Sequence, residues 1–222
     1  MIKGSEIGMN KKGIIFDFDG TMVQTENVVY DAISEYLIQE HHFSFSKVIY
    51  KEMLGQVSDD FYHKIDNIVG TKVNQEAMDE YISEKQQKIY PNMSFRGGIE
   101  QTILWAKKQS WKIGVVSNSM YEELDLFIKT HSHIFDKVDT IVTIDDLVAG
   151  KPSPEGYLKA ADDLELAEKE IIVVEDSMVG VQAALKANFT TYVLPNEFTD
   201  IRNISKKAII TNNIFYSVKG FG

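Results

Sequence analysis

Short apolar runs recur along the chain, with stretches of helical periodicity between them. Gly13-Ile14-Ile15-Phe16, Lys112-Ile113-Gly114-Val115-Val116, Ile171-Ile172-Val173-Val174 and Thr190 to Leu194 are rich in β-branched residues and close on turn-forming ones, so they predict buried strands. Val138 to Ile144 adds another, and Ala208-Ile209-Ile210 a short last one. Four apolar stripes alternate with these runs: Ile99, Ile103, Leu104 and Ala106; Leu124, Phe127 and Ile128; Tyr157, Leu158, Ala161 and Leu164; Val179, Ala183, Ala184 and Ala187. Each has the spacing of a helix with one buried face. Strand–helix alternation of this kind predicts an α/β protein built on a parallel sheet with crossover helices, a three-layer α/β/α core. Asn188, just past the Ala-rich stripe, suits the left-handed residue that closes a helix.

The alternation is interrupted once. From Val28 to Asn92 the pattern is helical throughout: Val29, Ile33, Tyr36 and Leu37; then Phe61, Ile65, Ile68 and Val69; then Met78, Tyr81 and Ile82, with Gly55 and Gly70 as loop breaks. The segment is too long for a crossover and reads as an inserted all-helical cap domain, residues 28–92, between core segments 1–27 and 93–222. Because it leaves the sheet just after the first strand, it is expected to act as a lid.

Hydrophobic residues at 44% and charged residues at 25% are ordinary for a folded globular chain of 222 residues. The net charge of −10 argues against a grip on nucleic acid or on an anionic membrane, both of which need clustered Lys and Arg. With no cysteine, disulfides and thiolate metal sites are excluded, and a cytoplasmic location is expected. No apolar stretch approaches a membrane span, and the leader Met1–Asn10, without an apolar signal-peptide core, reads as a loose end. A monomer is expected.

Chemistry concentrates at strand ends. Asp17-Phe18-Asp19-Gly20-Thr21 places two carboxylates at the carboxyl end of the first strand, where open α/β sheets bind ligands. Two acids so close need a counter-charge, and a divalent cation with oxygen ligands supplies one; an exposed turn without chemistry is the bland alternative. Ser117-Asn118-Ser119 follows the second strand with a hydroxyl and backbone N–H groups suited to phosphate oxygens, although Ser117 taken alone reads first as a cap for the next helix. Gly150-Lys151-Pro152-Ser153-Pro154 fixes a lysine in a stiff loop, a point charge aimed at an anion. Glu175-Asp176-Ser177-Met178-Val179-Gly180 ends another strand with a second acidic pair, which also reads as an acidic helix N-terminus.

Acid, hydroxyl, ammonium and acid in this order resemble the haloacid dehalogenase superfamily from about Lys12 to Leu194, and most nearly its branch of β-phosphoglucomutase and sugar-phosphate phosphatases. The resemblance implies a Rossmann-like core with a helical cap and a Mg²⁺-dependent phosphatase acting on a small phosphorylated metabolite. By the same resemblance Asp17 is the nucleophile that forms an aspartyl-phosphate, and Asp19 the general acid and base. Mg²⁺ would be held by Asp17, the Asp19 carbonyl and Asp176, with Glu175 near or acting through water. Ser117, the Asn118 N–H and Lys151 would hold phosphate oxygens, and Thr21 would orient the loop. Leu54-Gly55-Gln56-Val57-Ser58 corresponds to the substrate-specificity loop, which makes Gly55 and Gln56 candidate substrate contacts.

Three departures bear on the reaction. Val29 stands where mutases of the branch carry a histidine, the specificity loop has no arginine for a second phosphate, and Gln24 replaces a frequent acid. Lys51, His63 and Lys64 lie near that loop, but a point-charge lysine does not replace a bidentate fork. Hydrolysis of a singly phosphorylated compound is therefore expected ahead of phosphomutase transfer. A phospho-accepting signalling domain, a different class, would place its acceptor at a later strand and need no lid.

Overall fold

The computed structural model describes residues 11–54 and 58–221. In chain order the elements are β1 (Gly13–Asp17), α1 (Glu26–His41), α2 (Lys47–Met53), α3 (Ser58–Val69), α4 (Gln75–Ile89), α5 (Ile99–Lys108), β2 (Lys112–Val116), α6 (Tyr121–Thr130), α7 (Ser132–Phe135), β3 (Thr140–Val142), α8 (Glu155–Asp163), β4 (Ile171–Glu175), α9 (Met178–Lys186), β5 (Thr190–Val193), β6 (Ile209–Ile210) and α10 (Ile214–Val218). The described residues through Gln24 and from Ser94 onward form one compact unit, and Thr25–Met93 a second. No described helix is long and apolar enough to cross a membrane.

The first unit holds a six-stranded sheet in the order β3-β2-β1-β4-β5-β6, every pairing parallel. It is a Rossmann-like α/β fold. Strands β1 and β4 are buried at every position, as sheet strands covered on both faces must be. Alternate residues serve the two faces: Ile15, Val116 and Val173 join Tyr157, Ala160, Ala161 and Leu164 of the α8 segment and Ala183 and Ala184 of α9 in one apolar cluster. Ile14 and Phe16, also fully buried, point the other way. Each such side chain withdrawn from water contributes about 1.5–3 kcal/mol to folding.

From β1 the chain reaches β2 and β3 on one side and later returns to β4 on the other. The β1/β4 boundary is thus the point where strand order reverses, the place at which such sheets form a ligand crevice.

Several predicted elements differ in extent. The run Val138–Ile144 yields only the three-residue edge strand Thr140–Val142. Asp139 turns its side chain to the Lys107 ammonium and the Ile113 N–H, and Ile144 begins a 3₁₀ turn whose N-terminus Thr143 and Asp146 close as a capping box. Leu104 and Leu158, assigned to apolar stripes, lie exposed. Asn188 takes φ +62°, the left-handed conformation expected there.

In the second unit α1 packs against α4. Its buried face carries Val28, Ala32, Ile33, Tyr36 and Leu37, so the stripe begins one residue before Val29, which is half-buried. Ile65 of α3 and Met78 of α4 are fully buried. Gly70 at φ +80° ends α3, as a loop break should, whereas Gly55 lies outside the described residues. The short α2 falls inside the all-helical segment but between its apolar stripes; its signal is a cap, Ser46 accepting from the Val48 N–H.

Candidate active site

Parallel register brings the predicted acids together at one sheet edge. Asp17 is the last residue of β1 and Glu175 the last of β4, and these strands pair directly. One carboxylate oxygen from each of Asp17, Glu175 and Asp176 lies within 4.8 Å of the others, and all three residues are buried. Such a cluster is unstable without positive charge among it.

Lys151 supplies one charge. Its ammonium donates to Asp17 Oδ1, to Glu175 Oε1 at 2.8 Å and to the Val116 carbonyl at 3.1 Å. Burial alone would lower the Lys151 pKa, but Asp17 and Glu175 outweigh it and hold the ammonium above its ordinary range. Burial, then Glu175, push the Asp17 carboxyl well up, against the pull of Lys151. One ammonium therefore does not neutralise the group.

Asp17 Oδ2 is, among the described residues, the one buried side-chain polar atom with no hydrogen-bond partner. An orphaned oxygen inside a buried acidic triad fits a divalent cation, the hard, oxygen-seeking partner that such a donor set selects. The residues that could hold it are Asp17, Asp176 and Glu175. Asp176 is fixed from two sides, Thr21 Oγ1 donating to Oδ1 at 2.9 Å and Asn196 Nδ2 to Oδ2 at 2.7 Å.

Asp19 sits at the same mouth, half-buried, and its Oδ2 accepts from Ser117 Oγ at 2.8 Å and Ser119 Oγ at 2.9 Å. Ser117 does not cap the next helix, since α6 begins at Tyr121. Its amide is also committed, donating to Val142 O at 3.0 Å. Asn118 clamps Lys151 by its side chain, Oδ1 accepting from the Lys151 N–H at 2.8 Å and Nδ2 donating to the Lys151 carbonyl at 3.3 Å. Thr21 is fully buried behind Asp176, and Ser177 is the N-cap of α9, accepting from the Gly180 N–H at 3.1 Å. Gln56 and Gly55 lie outside the described residues.

Glu175 is held on both oxygens. Oε1 accepts from Lys151 and from Tyr157 Oη at 2.5 Å; Oε2 accepts from the Asp176 and Ser177 amides and from Ser177 Oγ at 3.0 Å. Gly180 makes room for it: a Cβ there would lie 1.7 Å from Glu175 Oε1.

Sequence reasoning missed four of these supports. Tyr157 reads as one more apolar position of the α8 stripe. Ser119 shares a triplet with Ser117, and Asn196 follows a strand end, which was a usable signal. Arg96 gives none: its guanidinium donates to the carbonyls of Gly20, Leu194 (2.9 Å) and Pro195 (2.7 Å), tying the loop after β1 to the loop after β5.

Comparison with known proteins bears on the family and the fold. Residues 14–194 match the model of a family described as haloacid dehalogenase-like hydrolase. YhcW of Bacillus subtilis (strain 168) is 31% identical over 189 residues, covering 85% of each chain. The phosphoglycolate phosphatase of Nitrosococcus oceani (strain ATCC 19707) is 26% identical over 171 residues, 76% of this chain and 70% of its own. Among solved structures, CbbY from Rhodobacter sphaeroides in complex with phosphate superposes with a TM-score of 0.77 at 20% identity, over 92% of this chain and 95% of that one.

Proposed function

The chain belongs to the haloacid dehalogenase-like hydrolases, and on that premise we propose that it is a Mg²⁺-dependent phosphatase that hydrolyses a small phosphomonoester through an aspartyl-phosphate on Asp17. The observation that carries the reading is the orphaned Asp17 Oδ2 within a buried acidic triad that one lysine leaves under-neutralised. Relatives named phosphatases, the glycerol-3-phosphatase 2 of Arabidopsis thaliana among them, support the reaction class.

In this reading Asp17 attacks phosphorus and the ester P–O bond breaks, while Asp19 gives a proton to the departing oxygen. Asp19 then takes a proton from water as the water oxygen attacks the same phosphorus, and the P–O bond to Asp17 breaks. Two serine hydroxyls on Asp19 Oδ2 keep its carboxyl aimed at the mouth of the site. Lys151, held at both its backbone and its ammonium, is a fixed positive charge for the transferring group, with Ser117 and the Asn118 N–H beside it. Mg²⁺ held by Asp17, Asp176 and the Asp19 carbonyl, with Glu175 nearby, would screen the anionic ester from an anionic attacker.

The helical unit Thr25–Met93 is proposed to be the substrate-selecting cap domain, and Gly55 and Gln56 its specificity loop. A cysteine-free metabolic enzyme fits the cytoplasm. The test is a panel of phosphorylated metabolites, each assayed for inorganic phosphate and for isomerised ester in Mg²⁺ and in chelator. Phosphate release in Mg²⁺ alone is expected. Isomer formation without phosphate would make the protein a mutase, and full turnover in chelator would remove the metal.

A further inference from the structure

Tyr157 lies on α8, fully buried in the apolar cluster beneath the sheet, yet its hydroxyl reaches out of that cluster to Glu175 Oε1 at 2.5 Å. Its ring stands 5.0 Å from the Lys151 ammonium, close enough for a cation–π contact. The hydroxyl is the donor in its contact with Glu175, because an ionised carboxylate can only accept. One side chain therefore touches both members of the Lys151–Glu175 pair, through two different kinds of interaction.

A buried tyrosine needs a hydrogen-bond acceptor, but that acceptor need not be a catalytic anion. Here the choice has an electrostatic effect. Lys151 lies between two carboxylates, Asp17 and Glu175, and the more negative draws it harder. The hydroxyl hydrogen bond takes up part of the Glu175 charge, and the ring face attracts the ammonium from another direction. We propose that Tyr157 is a positioning residue, whose hydroxyl restrains Glu175 so that the Lys151 ammonium stays on Asp17 and on the phosphoryl group it receives. This deepens the phosphatase reading and rests on it.

The test is Tyr157→Phe, alone and combined with Glu175→Gln, in the full chain with Mg²⁺. Phe keeps the ring and its packing and removes only the hydroxyl. Loss of an outer support of a charged site typically costs roughly 10–100-fold, and here the loss is expected in kcat with KM within about twofold. The affinity for vanadate, a mimic of the transferring group, should fall with kcat. In the Glu175→Gln background the hydroxyl no longer restrains a charge, so the second substitution should cost less than about twofold further.

An unchanged kcat, a loss confined to KM, or full additivity of the two substitutions would overturn the role. So would loss of the native near-UV spectrum in Tyr157→Phe, which would assign the hydroxyl to the fold. A wild-type protein that releases no phosphate from any ester would instead overturn the phosphatase reading itself.

Discussion

The Lys151 ammonium stands 2.8 Å from the Glu175 carboxylate, with the two side chains 5% and 0% exposed. The pair links a loop after β3 to the end of β4, and Asp17 of β1 shares the same ammonium. At this depth an ion pair fixes geometry more than it adds stability, since removal of the two charges from water offsets much of their attraction. Removal of one partner has a larger effect, because the other charge then stays buried alone.

Lys151→Met should therefore unfold more easily as well as lose turnover. Two carboxylates would keep their burial without their cation, a change that typically costs about 3–5 kcal/mol. Urea unfolding should show a lower midpoint at an unchanged slope, and phosphate release should fall to background. A midpoint equal to wild type would mean that the carboxylates find other charge.

Asp17→Asn keeps the shape and an acceptor for Lys151 but removes the charge proposed to attack phosphorus. Phosphate release should fall on the order of 10⁴-fold or more, as for other residues central to a covalent mechanism. Thermal unfolding should show a native transition; retained turnover would displace Asp17 as nucleophile.

Mg²⁺ should raise the unfolding temperature of the wild-type protein, because a ligand bound only to the folded state at about a hundred times its Kd adds about 2.7 kcal/mol. Asp176→Asn should lose most of that shift. Calorimetric scans with Mg²⁺ and with chelator check this independently of any substrate.

Gly180→Ala tests the fit around Glu175. The added Cβ would lie 1.7 Å from Oε1, so α9 or the carboxylate has to move. Overpacking of this sort costs typically about 1–3 kcal/mol. Turnover should drop further than the stability loss explains, because displaced Glu175 no longer steadies Lys151.

Lys11 gives a pH signature away from the site. Its buried ammonium donates to the carbonyls of Lys169 and Ile171 and to Thr190, and burial lowers its pKa from 10.5 to about 8. Between these two values the unfolded chain binds more protons than the folded one, so stability should rise with pH across that window. Urea midpoints measured from neutral to alkaline pH should show the rise in wild type and lose it in Lys11→Met.

The sequence by itself determined the fold class and where the residues of the candidate site fall along the chain. Strands such as Ile171–Val174 are apolar because both faces of a parallel sheet are covered, and that local signal is legible without coordinates. Asp17, Ser117 and Asp176 were legible because they stand at or just past strand ends, where ligands gather, and Lys151 because glycine and prolines flank it. The edge strand β3 was overextended, since Asp139 and Ile144 take hydrogen bonds that no periodicity records.

Only the tertiary structure decided the partners. Tyr157 carries the spacing of a core residue and is one, but which acceptor its hydroxyl meets depends on how α8 lies against β4. Arg96 and Asn196 reach across 98 and 20 residues of sequence to carbonyls and to Asp176, contacts set by the order in which strands lie side by side. Apolar periodicity is a property of neighbours in the chain, whereas charge compensation in a buried site is a property of neighbours in space.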